Sequence, residues 1–405
     1  MFINKERLWD TLESHGKIGG TPEGGVCREA LNPEDKEGRD VFVAWCREAG
    51  LDIAFDEMGT IYASRPGRDN SLLPLAFGSH LDTQPTGGKY DGILGVLGGL
   101  EVMRALNDNN VETDRPLVLI NWTNEEGSRF VPSMMASGIY TGLFALDDML
   151  KATDANGVVL GDALAASGYK GSEKVGARKF DALLELHIEQ GPVLEARGVE
   201  IGVVTGSQGM NWSHVTITGN SSHAGTTPMA YRLDAMGAMA RLVQIAHDIA
   251  NNTLDGCATV GSITTIPSTY NTIPHTVRFT LDMRHPDEAR LQEMLKRFEE
   301  AMEAERAKGF GLKREEFGTT PSQAFAPRCV AAVRKATEEA GYTHCDIVSG
   351  AGHDCVYINR VCDVGMVFVP CKDGLSHNPK ESITKEQAAA GVDVLFRAVL
   401  DLAKA

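Results

Sequence analysis

The sequence predicts an α/β protein: a mixed central sheet flanked by helices, with a smaller α+β unit inserted into it. Three observations predict this. Strand-length apolar runs alternate with helical patterns towards both ends of the chain, as in an α/β core. Between them the order changes to strand, helix, strand, strand, helix, strand, over about 115 residues, an ordinary domain size. The glycine-rich Thr205-Gly206-Ser207-Gln208-Gly209 and the polar stretch 319–326 flank that middle part and read as hinges. The expected division is 1–208 and 326–405 for the two parts of the larger domain, and 209–325 for the insertion.

Asn32 before Pro33 reads as an N-cap with proline at the first helical position, and Gly50 stops that helix after Ala49. Residues 51–56 and 60–64 read as strands around a Met58-Gly59 turn, and 73–79 as a short apolar strand leading into His80. Residues 92–106 form an apolar, glycine-bearing pattern expected of a buried helix. The run 116–123 (PLVLINWT) is continuously apolar, as in a central strand covered on both faces. Residues 183–188 and 365–369 are further strands. In the insertion, 212–218, 257–265 and 276–284 read as strands, and 233–250 and 287–308 as long helices. A last helix is expected over 385–403.

Composition narrows the function. The 405 residues allow two or three domains of about 150 residues. At 42% hydrophobic and 23% charged, the chain is not intrinsically disordered. Its 43 glycines follow no triplet period, which excludes collagen. A net charge of −16 argues against a general binder of nucleic acid or anionic membrane, and a small anionic substrate would need a basic clamp. No apolar stretch has the length of a spanning helix. The start MFINKERLWD is charged and lacks the apolar run of a secretory signal. Eight cysteines contain no C-x-x-C pair, and Cys355, Cys362 and Cys371 match no common zinc knuckle. Reduced thiols in a cytoplasmic protein are the expectation.

Five side chains carry chemistry at predicted strand ends and loops. His80 ends one strand, and Asp82 two residues on could accept its second ring N–H. His187 and Glu189 repeat that spacing after another apolar strand. Asp91, between glycines at the start of the buried helix, reads either as an N-cap or as a carboxylate reaching the same point as His80. Glu125 and Glu126 follow the central strand 116–123; adjacent acids there repel, and a cation pair would resolve the repulsion. One acid could ligate while the other serves as base, with Gly127 permitting the necessary bend. His377 lies in a late loop, Ser376-His377-Asn378-Pro379. The mixed donors His80, Asp91, Glu126, His187 and His377 suit borderline divalent ions, and five ligands with one bridging suit a dinuclear centre. Taken alone, His223 reads as a turn residue, Asn271 as another, and Arg284 as a structural partner of Asp282 or Asp287. The Gly350-Ala351-Gly352-His353-Asp354 loop allows close substrate approach but lacks the lysine of a phosphate-binding loop.

The segments GSHLDTQPTGGKYDGILGVLGGLEV, NEEGSRF, ELHIEQGPVLE, HAGTTPM, LDMRHP, SGAGHD and KDGLSHNP resemble the amidohydrolases of the hydantoinase/carbamoylase group. That group lies within the aminoacylase/carboxypeptidase-like metallopeptidase superfamily. The resemblance is strongest to its β-ureidopropionases and N-carbamoyl-L-amino-acid hydrolases. It implies a catalytic domain with two divalent metal ions per subunit, Zn²⁺ first and Mn²⁺, Co²⁺ or Ni²⁺ as alternatives. It implies an inserted lid that also forms a homodimer. His80, Asp91 and His187 match the ligands of one metal; Asp91, Glu126 and His377 match those of the other, with Asp91 bridging. Asp82 and Glu189 stand behind the ligands. Glu125 matches the general base; Gln190, Asn271 and Arg284 match substrate contacts; His223 matches an oxyanion-stabilising histidine reaching the neighbouring subunit's site. The implied reaction is hydrolysis of N-carbamoyl-β-alanine or N-carbamoyl-L-α-amino acids. Alternatives are allantoate or ureidoglycolate hydrolysis, an N-acyl-amino-acid hydrolase or peptidase, and, outside enzymes, a silent metal-binding protein. His187, where many peptidase relatives carry an acid, argues against the peptidase.

Overall fold

The structure, a computed structural model, describes residues 2–404. The chain forms two compact units, one running to Thr205 and resuming at Phe325, the other Gly206–Ala324. Strands β1 (Asp52–Phe55), β2 (Ile61–Arg65), β3 (Leu75–His80), β4 (Leu117–Trp122), β5 (Ala182–Ile188) and β6 (Ile201–Ser207) come first. The inserted unit supplies β7 (Gly209–Thr218), β8 (Ser222–His223), β9 (Cys257–Thr259), β10 (Ile263–Ile266), β11 (Thr272–Ile273), β12 (Thr276–His285) and β13 (Gly311–Thr320). The chain returns through β14 (Gln323–Ala324), β15 (His344–Ser349) and β16 (Asp363–Val369).

In the larger unit the sheet order is β1-β2-β4-β3-β5-β16-β6, with β15 also on β6. The four central strands β4, β3, β5 and β16 are mutually parallel; β1, β2 and β6 pair antiparallel. The mixed sheet expected from the sequence is therefore present. Strands β3, β4 and β5 are buried along their whole length, which is why they read as continuous apolar runs rather than alternating ones. Helices Ile93–Asp108 and Lys385–Leu402 pack on this core, the second opened by a capping box from Thr384 and Gln387. Parallel strands share a carboxyl end, so whatever follows β4, β3, β5 and β16 emerges on one edge of the sheet.

The inserted unit has an antiparallel sheet, β10-β12-β7-β13, with β9 also on β12. Alternate residues of β7 and β12, among them Val215, Ile217, Val277, Phe279 and Leu281, are buried in one cluster with residues of helices Ala235–Asn251 and Glu288–Arg306. Three expectations change or sharpen here. The single strand 257–265 is two strands: both halves pair with β12, but between Thr259 and Ile263 three residues stand opposite two, so the register shifts by one. Strand β13 is the last strand of the expected order, which the sequence left without bounds because it carries Lys313, Arg314, Glu315 and Glu316; it is an edge strand, where charge discourages further pairing. The two expected hinges are not loose loops: β6 runs through Ser207, and β14 pairs with its end at Gln323↔Ser207 and Ala324↔Gly206.

No helix among the described residues is long and apolar enough to cross a membrane. All eight cysteines are free.

Candidate metal centre

The carboxyl ends of the four parallel strands deliver the chemistry. His80 is the last residue of β3, His187 the sixth of seven in β5, Glu125 and Glu126 follow β4, and His377 lies in the loop after β16. The chain turns sharply after β4 because Asn124 takes a left-handed backbone (φ 58°), held by its Nδ2 donating to Phe130 O at 2.8 Å. Gly127, which the sequence marked as permitting the bend, is left-handed too (φ 64°), so the turn has two such residues, Asn124 and Gly127. Asp91 does not cap the following helix. The N-cap is Gly92, with φ 72°, and a Cβ there would sit 2.4 Å from the His80 ring. Glycine is thus required for the helix to approach the imidazole.

Three groups of donors form among the described residues, two of which share Asp91; the third, Glu185, His187 and His353, shares only His187 with them. His80, Asp91 and His187 lie with their donor atoms within 4.8 Å of one another, and so do Asp91, Glu126 and His377. Asp91 belongs to both through different oxygens. Its Oδ1 is 3.6 Å from His80 Nε2 and 3.2 Å from His187 Nε2; its Oδ2 is 3.5 Å from His377 Nε2. His377 Nε2 is 3.3 Å from Glu126 Oε2. Two ligand atoms each about 2.0–2.1 Å from a tetrahedral zinc stand about 3.3–3.4 Å apart. The spacing is therefore that of atoms facing a common cation. Glu125 is in neither trio; its Oε2 is 3.5 Å from His80 Nε2, beside the cluster.

The histidine tautomers agree with this. His80 Nδ1 meets Asp82 O at 2.9 Å and His187 Nδ1 meets Ile188 O at 2.9 Å, so each Nδ1 carries the proton and each Nε2 offers a lone pair. This corrects the expected partners: the rings bond main-chain carbonyls rather than the carboxylates of Asp82 and Glu189. Asp82 instead accepts from Glu125 N and Glu126 N, at 3.3 and 3.2 Å, and so holds the acidic turn. Glu189 accepts from Val193 N and Leu194 N, both at 2.7 Å. Arg39, itself bound to Asp35 at 2.7 Å, adds buried positive charge near Asp82.

Electrostatics show what the donors lack. Burial, reinforced by the surrounding acids, pushes Glu125 and Glu126 well above the usual carboxylate range, Asp82 up to about 7 and Glu381 up to about 8. Burial lowers His80 to about 4. For His187 burial acts downward, but the hydrogen bond and charge of Asp91 outweigh it and raise it to about 9. Burial would likewise raise Asp91, and the facing histidines outweigh it and hold it low. Yet His187 Nε2 also accepts from Gly92 N at 3.0 Å, which a protonated nitrogen cannot do. Nε2 has one lone pair, so the Gly92 N–H and a cation shared with Asp91 are alternatives at that nitrogen, and either one requires it unprotonated. The residues present fit a pair of divalent ions.

The remaining expected residues fall as follows. Gln190 donates from Nε2 to Asp91 Oδ2 at 2.8 Å and to Ser376 Oγ at 3.2 Å, while its buried Oε1 meets no hydrogen-bond partner among the described residues. His223, Asn271 and Arg284 belong to the inserted unit. His223 pairs with Thr272 in the short β8–β11 ladder, next to Asn271, whose carbonyl accepts from Ala224 N. His223 Nδ1 accepts from Gly225 N and Thr226 N at 3.0 and 3.2 Å, which places the neutral ring's proton on Nε2. Arg284 makes the ion pair with Asp282, at 2.8 Å, that its sequence context suggested. Three residues were missed. Glu185, a charge within the apolar β5, accepts from Ser79 Oγ at 2.7 Å; that break in the apolar run was its signal. His353 packs edge-on against His187 with ring centroids 4.5 Å apart. Glu381 sat in a lysine–glutamate pair that resembled solvated surface, so nothing local marked it.

A family model described as peptidase family M20/M25/M40 matches residues 76–401. The chain is similar to an N-carbamoyl-L-amino-acid amidohydrolase of Rhizobium meliloti, 47% identical over 404 residues, covering 99% of this chain and 97% of the relative. It is 37% identical to an N-carbamoyl-L-amino acid amidohydrolase of Geobacillus stearothermophilus, over the full length of both. Among solved structures, an amidase of the hydantoinase/carbamoylase family from Burkholderia multivorans superposes with a TM-score of 0.95 at 47% identity, covering 99% of this chain and 98% of that one.

Proposed function

The chain belongs to peptidase family M20/M25/M40 and is an amidohydrolase, and on that premise we propose that it hydrolyses N-carbamoyl-L-α-amino acids to the amino acid, ammonia and CO₂. The observation that carries this reading is Asp91, whose two oxygens face separate donor trios as a bridging ligand must. His80 and His187 complete one site, Glu126 and His377 the other. When bound, the two ions, zinc first among the candidates, supply an activated water at neutral pH and polarise the ureido carbonyl, a weak electrophile because two nitrogens donate into it.

The chain's own groups do the rest. Glu125, beside the trios but outside them, takes the proton of the attacking water and returns it to the leaving amine. His223 donates its Nε2 proton to the developing oxyanion of the neighbouring subunit's site, so the working unit is a homodimer. Arg284 leaves Asp282 for the substrate carboxylate, offering a two-pronged pair and the positive charge that an acidic chain otherwise denies an anion. Asn271 and Gln190 Oε1 accept the substrate's N–H groups. The inserted unit acts as a lid that carries three of these residues, and substrate binding closes it and excludes water.

A substrate panel on metal-defined protein, read by ammonia or amine release, tests this. N-carbamoyl-L-amino acids should give the highest kcat/KM, against their D-enantiomers, N-carbamoyl-β-alanine, ureidoglycolate, allantoate and N-acetyl amino acids. One methylene separates the smallest α- and β-substrates, so that preference should be modest, about 1–3 kcal/mol. Chelation should remove turnover and a divalent ion restore it. Preference for the N-acetyl compounds, or turnover undiminished in cation-depleted protein, would reject the proposal.

A further inference from the structure

Glu381 is nearly fully buried (5% exposed) and lies four residues after His377. Its carboxylate joins two loops. Oε1 accepts from Tyr90 N at 2.8 Å and Asp91 N at 3.1 Å; Oε2 lies 3.3 Å from Ser376 Oγ. The loop around residues 87–92 is shaped to receive it: a Cβ on Gly88 would stand 2.0 Å from the Glu381 carboxyl carbon. The Ser376 hydroxyl also donates to Asp91 Oδ2. With a single proton it serves one carboxylate at a time, so it stands between Glu381 and the shared ligand without bonding both at once.

His377 depends on such support more than the other two histidines. His80 and His187 each have Nδ1 fixed on a carbonyl. His377 is half exposed, has a left-handed backbone (φ 53°), and no hydrogen bond to its ring is present among the described residues. Its position rests on its loop. That loop is closed by Glu381 N on Asn378 O at 3.0 Å and tied to the Asp91 loop through Glu381 and Ser376.

We propose that Glu381 is a positioning residue that fastens the loop carrying His377 to the loop carrying Asp91, and so sets the affinity of the Asp91–Glu126–His377 site for its cation. The inference rests on the dinuclear reading above. Zinc titrations of the full-length chain against a chromophoric chelator, alongside thermal unfolding, read it directly. Wild type should take two equivalents. Glu381→Ala should keep the tighter equivalent and hold the weaker one about 10–100-fold less tightly, the usual cost of losing a group behind a ligand. Glu381→Gln, which keeps an oxygen for the two amides, should recover most of the loss, a rescue that lost packing alone would not discriminate. Excess zinc should restore much of the Glu381→Ala turnover. A folded Glu381→Ala protein with two equivalents at wild-type affinity overturns the inference while leaving the dinuclear centre intact. Wild type taking fewer than two overturns both. Should Glu381→Ala fail to fold, Glu381→Asp keeps the charge but draws the carboxylate back by one methylene from Tyr90 N and Asp91 N; unchanged affinity for the weaker equivalent in that folded variant overturns the inference too.

Discussion

Glu305 in the inserted unit and Glu125 in the larger one are both buried acids, and their surroundings differ in kind. Glu305 accepts from Arg241 Nε and Nη2 at 2.8 and 2.7 Å and from Lys308 Nζ at 2.7 Å. Glu125, Glu126 and Asp91 face one another and three histidines, and among the described residues none of them pairs with an arginine or lysine. Removing an ion from water costs several kcal/mol unless a countercharge meets it. The inserted unit supplies that countercharge from its own sequence. The larger unit leaves it to be supplied from outside, and an acid cluster left in that state identifies a cation site more firmly than any one ligand does.

Neutralising one acid in each unit sharpens the contrast, and the largest effect belongs to the metal unit. Glu125→Gln keeps the shape and should keep the cations, since Glu125 is in neither trio. It should lower kcat by about 10²–10⁴-fold, the range for a lost general base. Metal analysis with steady-state kinetics reads both quantities. Undiminished kcat would remove Glu125 from the base's role, and loss of a cation equivalent would place it in the ligand set.

The next effect crosses to the inserted unit. His223→Ala should leave metal content unchanged and cost about 10²–10³-fold in kcat, as for one oxyanion donor. If the donor comes from the neighbouring subunit, mixing His223→Ala with Glu125→Gln protein should restore activity, because exchanged heterodimers contain one site with both groups intact. No recovery despite demonstrated subunit exchange would confine His223 to its own chain.

The metal unit was more legible than the insertion, for a physical reason. Strands covered on both faces must be apolar throughout, so 116–123 and 183–188 stood out, and the polar residues at their ends stood out with them. Once the strands are parallel, those ends converge on one edge. What stayed hidden was whatever depends on partners distant in sequence. Asp82 and Glu189 were expected behind the ligands, but their carboxylates accept from main-chain amides that no spacing rule reveals. Glu381 lies 290 residues from the amide of Asp91 that it holds. In the insertion, the charges of β13 hid the bounds of the expected last strand, and its pairing with β7 becomes visible only when the neighbour's register is known.

The smallest expected effect tests the other side of the comparison. Arg241's hydrogen bonds, then those of Lys308, hold Glu305 down at about 2 against the opposing effect of burial. An unfolded glutamate titrates near 4.3, so between about 4.3 and 2 the unfolded chain binds more protons than the folded one. Stability from this cluster is therefore complete above that window and lost as pH falls through it. Arg241 and Lys308 are about half exposed, so solvent screens the pair and the contribution is about 1 kcal/mol or less. Urea unfolding of wild type and Glu305→Gln should differ most near pH 6, converge towards pH 3, and differ less in 1 M salt. A gap that widens as pH falls would mean that Glu305 is held as an acid, like the carboxyls of the metal unit before a cation reaches them, and the two clusters would no longer be opposites.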